Sequence, residues 1–193
     1  MVSTISIRTS RVRPAVPTSG SLSPATYLSP RFGYKVRWDT PWALLDETGS
    51  DGSNDDSVTD RLVLHMRESG RAEVQIVGGW RCNLLDARET IRFWTSDLYI
   101  SEFMDPGTLV VLSEATRTAG GVVLVSPGSD GDPDVVTIKE AFEVDRGTSV
   151  RVTLIADLPT FLDTCREMRQ TLHVGQHGLL HFFSDDVLEA VLS

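Results

Sequence analysis

Three histidines recur at four-residue spacing, His173, His177 and His181, and Asp185 continues the series. On one unbroken helix all four would share a face, and imidazoles with a carboxylate suit zinc or nickel. Gly175 and Gly178 interrupt such a helix, and Ser184 reads as the cap of a new one. On a strand the same positions share a face, but each step is about 13 Å, too long to chelate one ion. The chain also has no HExxH arrangement. His173, His177 and His181 are therefore weak metal candidates, expected to hydrogen-bond or pack locally, and no cofactor is expected.

Other chemistry-bearing residues are no more specific. Asp130, Asp132 and Asp134 have the opening spacing of a calcium loop, but Val135 stands at the required glycine and Ala141 at the terminal glutamate. Cys82 and Cys165 read as reduced thiols, Cys165 on the apolar side of a helix where thiols are inert packing. Neither Gly78-Gly79 nor Gly120-Gly121 belongs to a phosphate-binding fingerprint, and the first pair reads as a turn or bulge. Among the carboxylates, Glu89, Asp97, Glu102 and Glu114 lie within or beside strand signals. Trp38, Trp42, Trp80 and Trp94, with Phe93 and Tyr99, would line a pocket, a core or a subunit contact. Arg92-Phe93-Trp94 is a fragment of an RNA-binding pattern, which the acidity of the surrounding chain opposes.

The elements that must position these residues follow from periodicity. Arg61–Arg67 and Arg71–Val77 alternate apolar and polar across Ser69-Gly70, a hairpin signal. Further strands are expected at 90–95, 98–104, 109–113, 121–126, 135–138, 142–144 and 149–156. Residues 46–60 hold six acids and several Gly and Ser, and read as a solvated loop. The period then changes. Leu158, Phe161, Leu162, Cys165, Met168 and Leu172 lie on one helical face, predicting a helix over 157–172, and a second is predicted over 184–192. The expected fold is mainly β, an antiparallel barrel or sandwich with one or two C-terminal helices and an extended N-terminal arm.

That arm carries the clearest charge signal. The 193-residue chain has 18 Lys plus Arg, 27 Asp plus Glu and a net charge of −9. Residues 1–38 hold six basic residues and no acid, which leaves all 27 acids and 12 bases in 39–193. Pro14, Pro17, Pro24 and Pro30 keep the arm extended, and Ile5 and Ile7 mark a short edge strand over 2–8. A basic arm on an acidic single domain fits exchange onto a neighbouring copy. Ile5, Ile7, Arg8, Arg11, Arg13, Arg31 and Trp42 are the candidate interface residues.

The leading functional expectation is thus a structural subunit of a homo-oligomer, of the kind that builds a virus or phage particle. Its partners would be other copies of itself, with nucleic acid touched only through the arm. An acidic inhibitor or immunity-type protein that binds a basic partner is the first alternative. A small β-barrel enzyme or ligand binder, with a polar pocket lined by aromatics, is the second. The composition has no 18-residue apolar run and no secretory h-region, so a cytoplasmic or particle-bound protein without a membrane span is expected.

Overall fold

Alternating side chains build about half of the described residues into strands. The computed structural model describes residues 25–48, 59–66, 72–80, 86–129, 131–145 and 148–193. A seven-stranded antiparallel sheet runs in the order β3-β4-β5-β9-β8-β7-β6. It is formed by β3 (Trp42–Thr48), β4 (Thr59–Met66), β5 (Ala72–Trp80), β6 (Leu109–Ala115), β7 (Ala119–Ser126), β8 (Val135–Asp145) and β9 (Thr148–Asp157). A smaller sheet has β1 (Ala25–Leu28), β2 (Lys35–Trp38), β10 (Leu172–Val174) and β11 (His177–Gly178) in the order β1-β2-β10-β11.

The barrel expectation is corrected by this topology. Strands β3 and β6 are opposite edges of one open sheet, and the second sheet is separate from it. Nothing in the described residues shows virion character either, and that expectation is not carried forward. What stands is a β-rich fold of two antiparallel sheets with C-terminal helices. Those helices are α3 (Phe161–Thr171), preceded by a 3-10 turn over Leu158–Thr160, and α4 (Asp185–Leu192). Ser184 caps α4 as expected, its side chain accepting from the amide of Val187 at 3.4 Å.

Two expected strands are helices instead: α1 (Ala87–Trp94) and α2 (Asp97–Phe103). The capping chemistry explains the difference. Asp86 and Glu89 form a reciprocal capping box on α1, and Ser96 accepts from the amide of Tyr99 to start α2. The buried positions of α1 are Ala87, Thr90, Ile91 and Trp94, a helical period that β-propensity at Thr90, Ile91 and Phe93 masks. The expected strands at 135–138 and 142–144 are one strand, β8. The expected loop at 46–60 is strand at both ends, and its middle lies outside the described residues.

The large sheet buries both faces, unequally. One face packs under the small sheet, α3 and α4 around Leu62, Leu64, Val74, Ile76, Ile138, Leu154 and Phe161. On the other face α1 and α2 cover only Val122, Leu124 and Ala141 of β7 and β8. Adjacent glycines in β7 let both layers close on one strand. A Cβ at Gly120 would stand 2.7 Å from Ile91, and one at Gly121 would stand 2.8 Å from Phe183.

Of the expected arm, residues 1–24 lie outside the described residues. Residues 25–38 form the β1-β2 hairpin, which β10 extends and which packs on the chain's own body. Buried Asp60 of β4 fastens it, accepting from Tyr27 at 3.2 Å, from Ser29 at 2.5 Å and from Tyr34. Gly78 makes room for this, because a Cβ there would lie 2.0 Å from the Tyr34 ring. Gly78-Gly79 is thus regular β5 strand rather than the expected turn or bulge.

Candidate functional site: the polar face of the large sheet

Register places the site. Lys139 of β8, Thr153 of β9 and Gln75 of β5 stand opposite one another in a row across three strands. The next row is Thr137, Ile155 and Glu73, and the row on the other side holds Ala141, Arg151, Val77 and, on β4, Arg61. Paired residues project to the same face, so these side chains share the face that α1 and α2 leave partly open. A concavity of about 370 Å³ lies there, between α2 and the sheet. Lys139, Glu73, Gln75, Thr137, Tyr99 and Phe103 are among its lining residues.

Lys139 is the cation among its lining residues. Its ammonium lies 5.3 Å from the centroid of the Trp94 ring and 5.0 Å from that of Tyr99, and it donates to the Tyr99 hydroxyl at 2.5 Å. Rings at these distances attract the cation through their quadrupoles. Among the described residues no carboxylate forms an ion pair with Lys139 or Arg151. Burial, reinforced by the charge of Arg151, lowers the Lys139 amine to about 8. Burial also lowers Arg151 and raises the Tyr99 hydroxyl, which therefore stays protonated. Arg61 adds a third cation to the same face, and its buried Nε has no hydrogen-bond partner. The aromatic wall continues outward from Tyr99. Phe103 stacks on it at 5.3 Å and Phe93 meets it edge-on at 5.2 Å, both of them exposed.

The residues singled out from the sequence fall elsewhere. His173 and His177 lie on the two paired strands β10 and β11, and His181 follows in the loop after them. No helix carries the series, and among the described residues no cluster able to hold a metal is formed. His181 is lowered by partial burial, then by the charges of Arg169 and His173. Trp42 is buried inside the chain, donating to Thr171 at 3.0 Å and tying β3 to α3. Arg31 sits in the β1-β2 turn over the Phe32 ring at 5.8 Å. Ile5, Ile7, Arg8, Arg11 and Arg13 lie outside the described residues. Glu89, Asp97, Glu102 and Glu114 are all exposed; among the described residues the buried acids are Asp60 and Glu140. Cys165 is fully buried in α3, and burial pushes its thiol up to about 12, which leaves it inert.

Sequence reasoning did reach Trp94 and Tyr99 as pocket candidates, and both serve Lys139. It missed Lys139 itself. The signal was present: one of only two lysines, against sixteen arginines, stands in a strand between Ile138 and Glu140. Arg61 and Arg151 escaped notice because only strand pairing brings them to the same face. Lys139, Arg151 and Arg61 are the cations on that face, which Glu143 of β8 shares, and the described residues show no acidic, partner-mimicking surface.

No protein-family model and no curated protein matches the sequence. Among solved structures, the Saccharomyces cerevisiae Ran-binding protein Mog1p matches with 10% identity and a TM-score of 0.44. The match covers 79% of this chain and 96% of that one. A likeness at that score carries neither fold nor function across. Among the described residues no helix is long and apolar enough to cross a membrane.

Proposed function

We propose that this chain is a ligand-binding domain that takes a small polar molecule in the concavity between α2 and the large sheet. The observation that carries the reading is Lys139, a largely buried cation with two aromatic rings around it and no acidic partner among the described residues. Lys139 favours an anionic group on the ligand at its own end of the concavity, such as a carboxylate or phosphate, while Glu73 and Asp105 line the rest with negative charge. Glu73 and Gln75 on the far side, joined at 2.7 Å, offer acceptors for the ligand's hydroxyl or amino groups. The volume, about 370 Å³, suits a molecule of metabolite size.

Titration calorimetry with a panel of small carboxylates and phosphates tests the reading, with Lys139→Met as the comparison. Binding that Lys139→Met weakens at least tenfold, in a protein of unchanged melting behaviour, supports it. Equal binding by both proteins refutes it.

Arm exchange between copies is a second reading, favoured by one observation. Among the described residues strand β6 is an edge of the large sheet without a further partner, with Leu109 65% and Val110 40% exposed. An edge of that kind accepts an added strand, and residues 2–8 have the alternation to supply one. Glu114, exposed on β6 itself, complements the charge of the arm's arginines.

A further inference from the structure

We infer that Lys139 is a carbonyl-reactive amine, able to form a reversible imine with a small aldehyde or oxo acid seated in the concavity. The inference rests on the ligand-binding reading and names the substrate class of that same site. Three features of the geometry carry it. The amine opens into a cavity of adequate volume. It is walled by the Trp94 and Tyr99 rings, which exclude water from two sides. A second cation, Arg151, is its diagonal neighbour on the same sheet face, while no carboxylate pairs with it among the described residues. A desolvated lysine beside another cation is the arrangement that frees an amine for nucleophilic attack. An amine at about 8 is neutral in roughly 10% of molecules at pH 7, against about 0.04% for an ordinary lysine.

The step balances without a redox partner. The neutral Nζ of Lys139 adds its lone pair to the carbonyl carbon, and the carbonyl π pair moves onto oxygen. A proton passes from nitrogen to that oxygen, giving a carbinolamine. The Tyr99 hydroxyl, 2.5 Å from Nζ and held protonated, is in place to relay it. Loss of water then leaves the C=N bond, and hydrolysis reverses every step. Arg151 favours the neutral amine before reaction through its charge, so it is a positioning residue here.

The sequence contains its own control, because Lys35 is the only other lysine and is exposed on β2. The full-length protein is treated with glyoxylate and cyanoborohydride, which reduces an imine to a stable carboxymethyl amine. Peptide mapping then compares Lys139, Lys35 and the N-terminal amine over pH 6–10. The expected result is modification of Lys139 at least tenfold faster than Lys35 at pH 7, rising with pH to a plateau above about 8. Arg151→Gln should shift that midpoint upward, which a purely structural role would not do. Equal rates at the two lysines, or modification confined to Lys35 and the N-terminus, overturns the inference. Glyoxylate binding that Lys139→Met abolishes, without trapping at Lys139, sinks the imine and leaves the ligand-binding reading standing.

Discussion

Glu140 is 4% exposed on the core face of β8, where its neighbours are Ile138 and the Phe182-Phe183 loop. Burial is the largest influence on it and raises its carboxyl to about 7, against a usual 4.5. The amides of Phe182, Leu180 and His181, with Arg169, oppose the shift by favouring the anion, and Phe182 donates at 2.8 Å. Desolvation wins because those donors cannot replace bulk hydration in so dry a site. The sign of the consequence follows by linkage. A carboxyl raised in the folded state binds its proton more tightly folded than unfolded. Its contribution is therefore greatest below pH 4.5 and is lost as pH rises toward 7. With these two values the loss by pH 7 is about 3 kcal/mol, from 1.36 kcal/mol per unit. For a chain of this size that corresponds to about 6–12 °C in Tm.

The perturbation is Glu140→Gln, and the assay is urea unfolding of both proteins at half-unit steps from pH 4.5 to 8. Glutamine does not titrate, so every other ionisation cancels in the difference between the two curves. Glutamine is expected to cost stability at every pH, since its amide group cannot accept from all three backbone N–H groups. What matters is the trend. The wild type should lose about 3 kcal/mol relative to the variant between pH 4.5 and 7, then run parallel to it. Parallel curves across the whole range would show that the three amides hold Glu140 ionised at its ordinary value. Burial would then not be the dominant influence on Glu140.

Other perturbations test the fold's remaining joints. Gly78→Ala should cost about 2–4 kcal/mol in chemical denaturation, because its methyl would overlap the Tyr34 ring, and Tyr34→Ala in the same chain should recover part of that loss. Asp60→Ala should cost a similar amount, stranding the hydroxyls of Ser29 and Tyr34, and should raise proteolytic sensitivity around 25–38 before that of the large sheet. Removing residues 1–24 should lower the solution mass from oligomer to monomer if the arm is exchanged. A full-length monomer at high concentration, unchanged by truncation, refutes the exchange.

How much was legible follows from which signals are local. Strict alternation at 61–67, 71–77 and 149–156 identified β4, β5 and β9, because a half-buried strand writes its period into the chain. The helical face through Phe161, Cys165 and Met168 did the same for α3. Residues 90–95 and 98–104 misled because β-branched and aromatic side chains outweighed the caps at Asp86 and Ser96, and a cap is one residue long. The four-residue histidine series failed for the converse reason. Its spacing is meaningful only on a helix, and Gly175, at φ +61°, turns the chain into the β10-β11 hairpin. Sheet closure was beyond reach, since strand order depends on partners far apart in sequence. The pairing of β5 with β9 across the 67 residues of intervening chain has no local mark.

The same non-local pairing makes the candidate site. Lys139, Arg151 and Arg61 belong to three separate strands, and none is unusual in its own segment. Each sits at an outward position of an alternating run, where a polar residue is the default. Only when β5 lies between β4 and β9, with β8 beyond, do they become neighbours on one face. A surface of ordinary strand residues would pair such charges with acids across the ladder, a cheap solution in a chain with 27 carboxylates. Here Lys139 stands opposite Thr153 and Val122, Arg151 opposite Val77 and Ala141, and Arg61 opposite Val77. No rung of the ladder gives these cations a counter-charge. Lys139 is held by aromatic rings instead, which stabilise an ammonium while leaving its charge available to a ligand. Packing alone would be served by an apolar residue over Trp94 and Tyr99, without the cost of desolvating a cation. The cost is intelligible if Lys139 serves a molecule seated in the concavity that it lines.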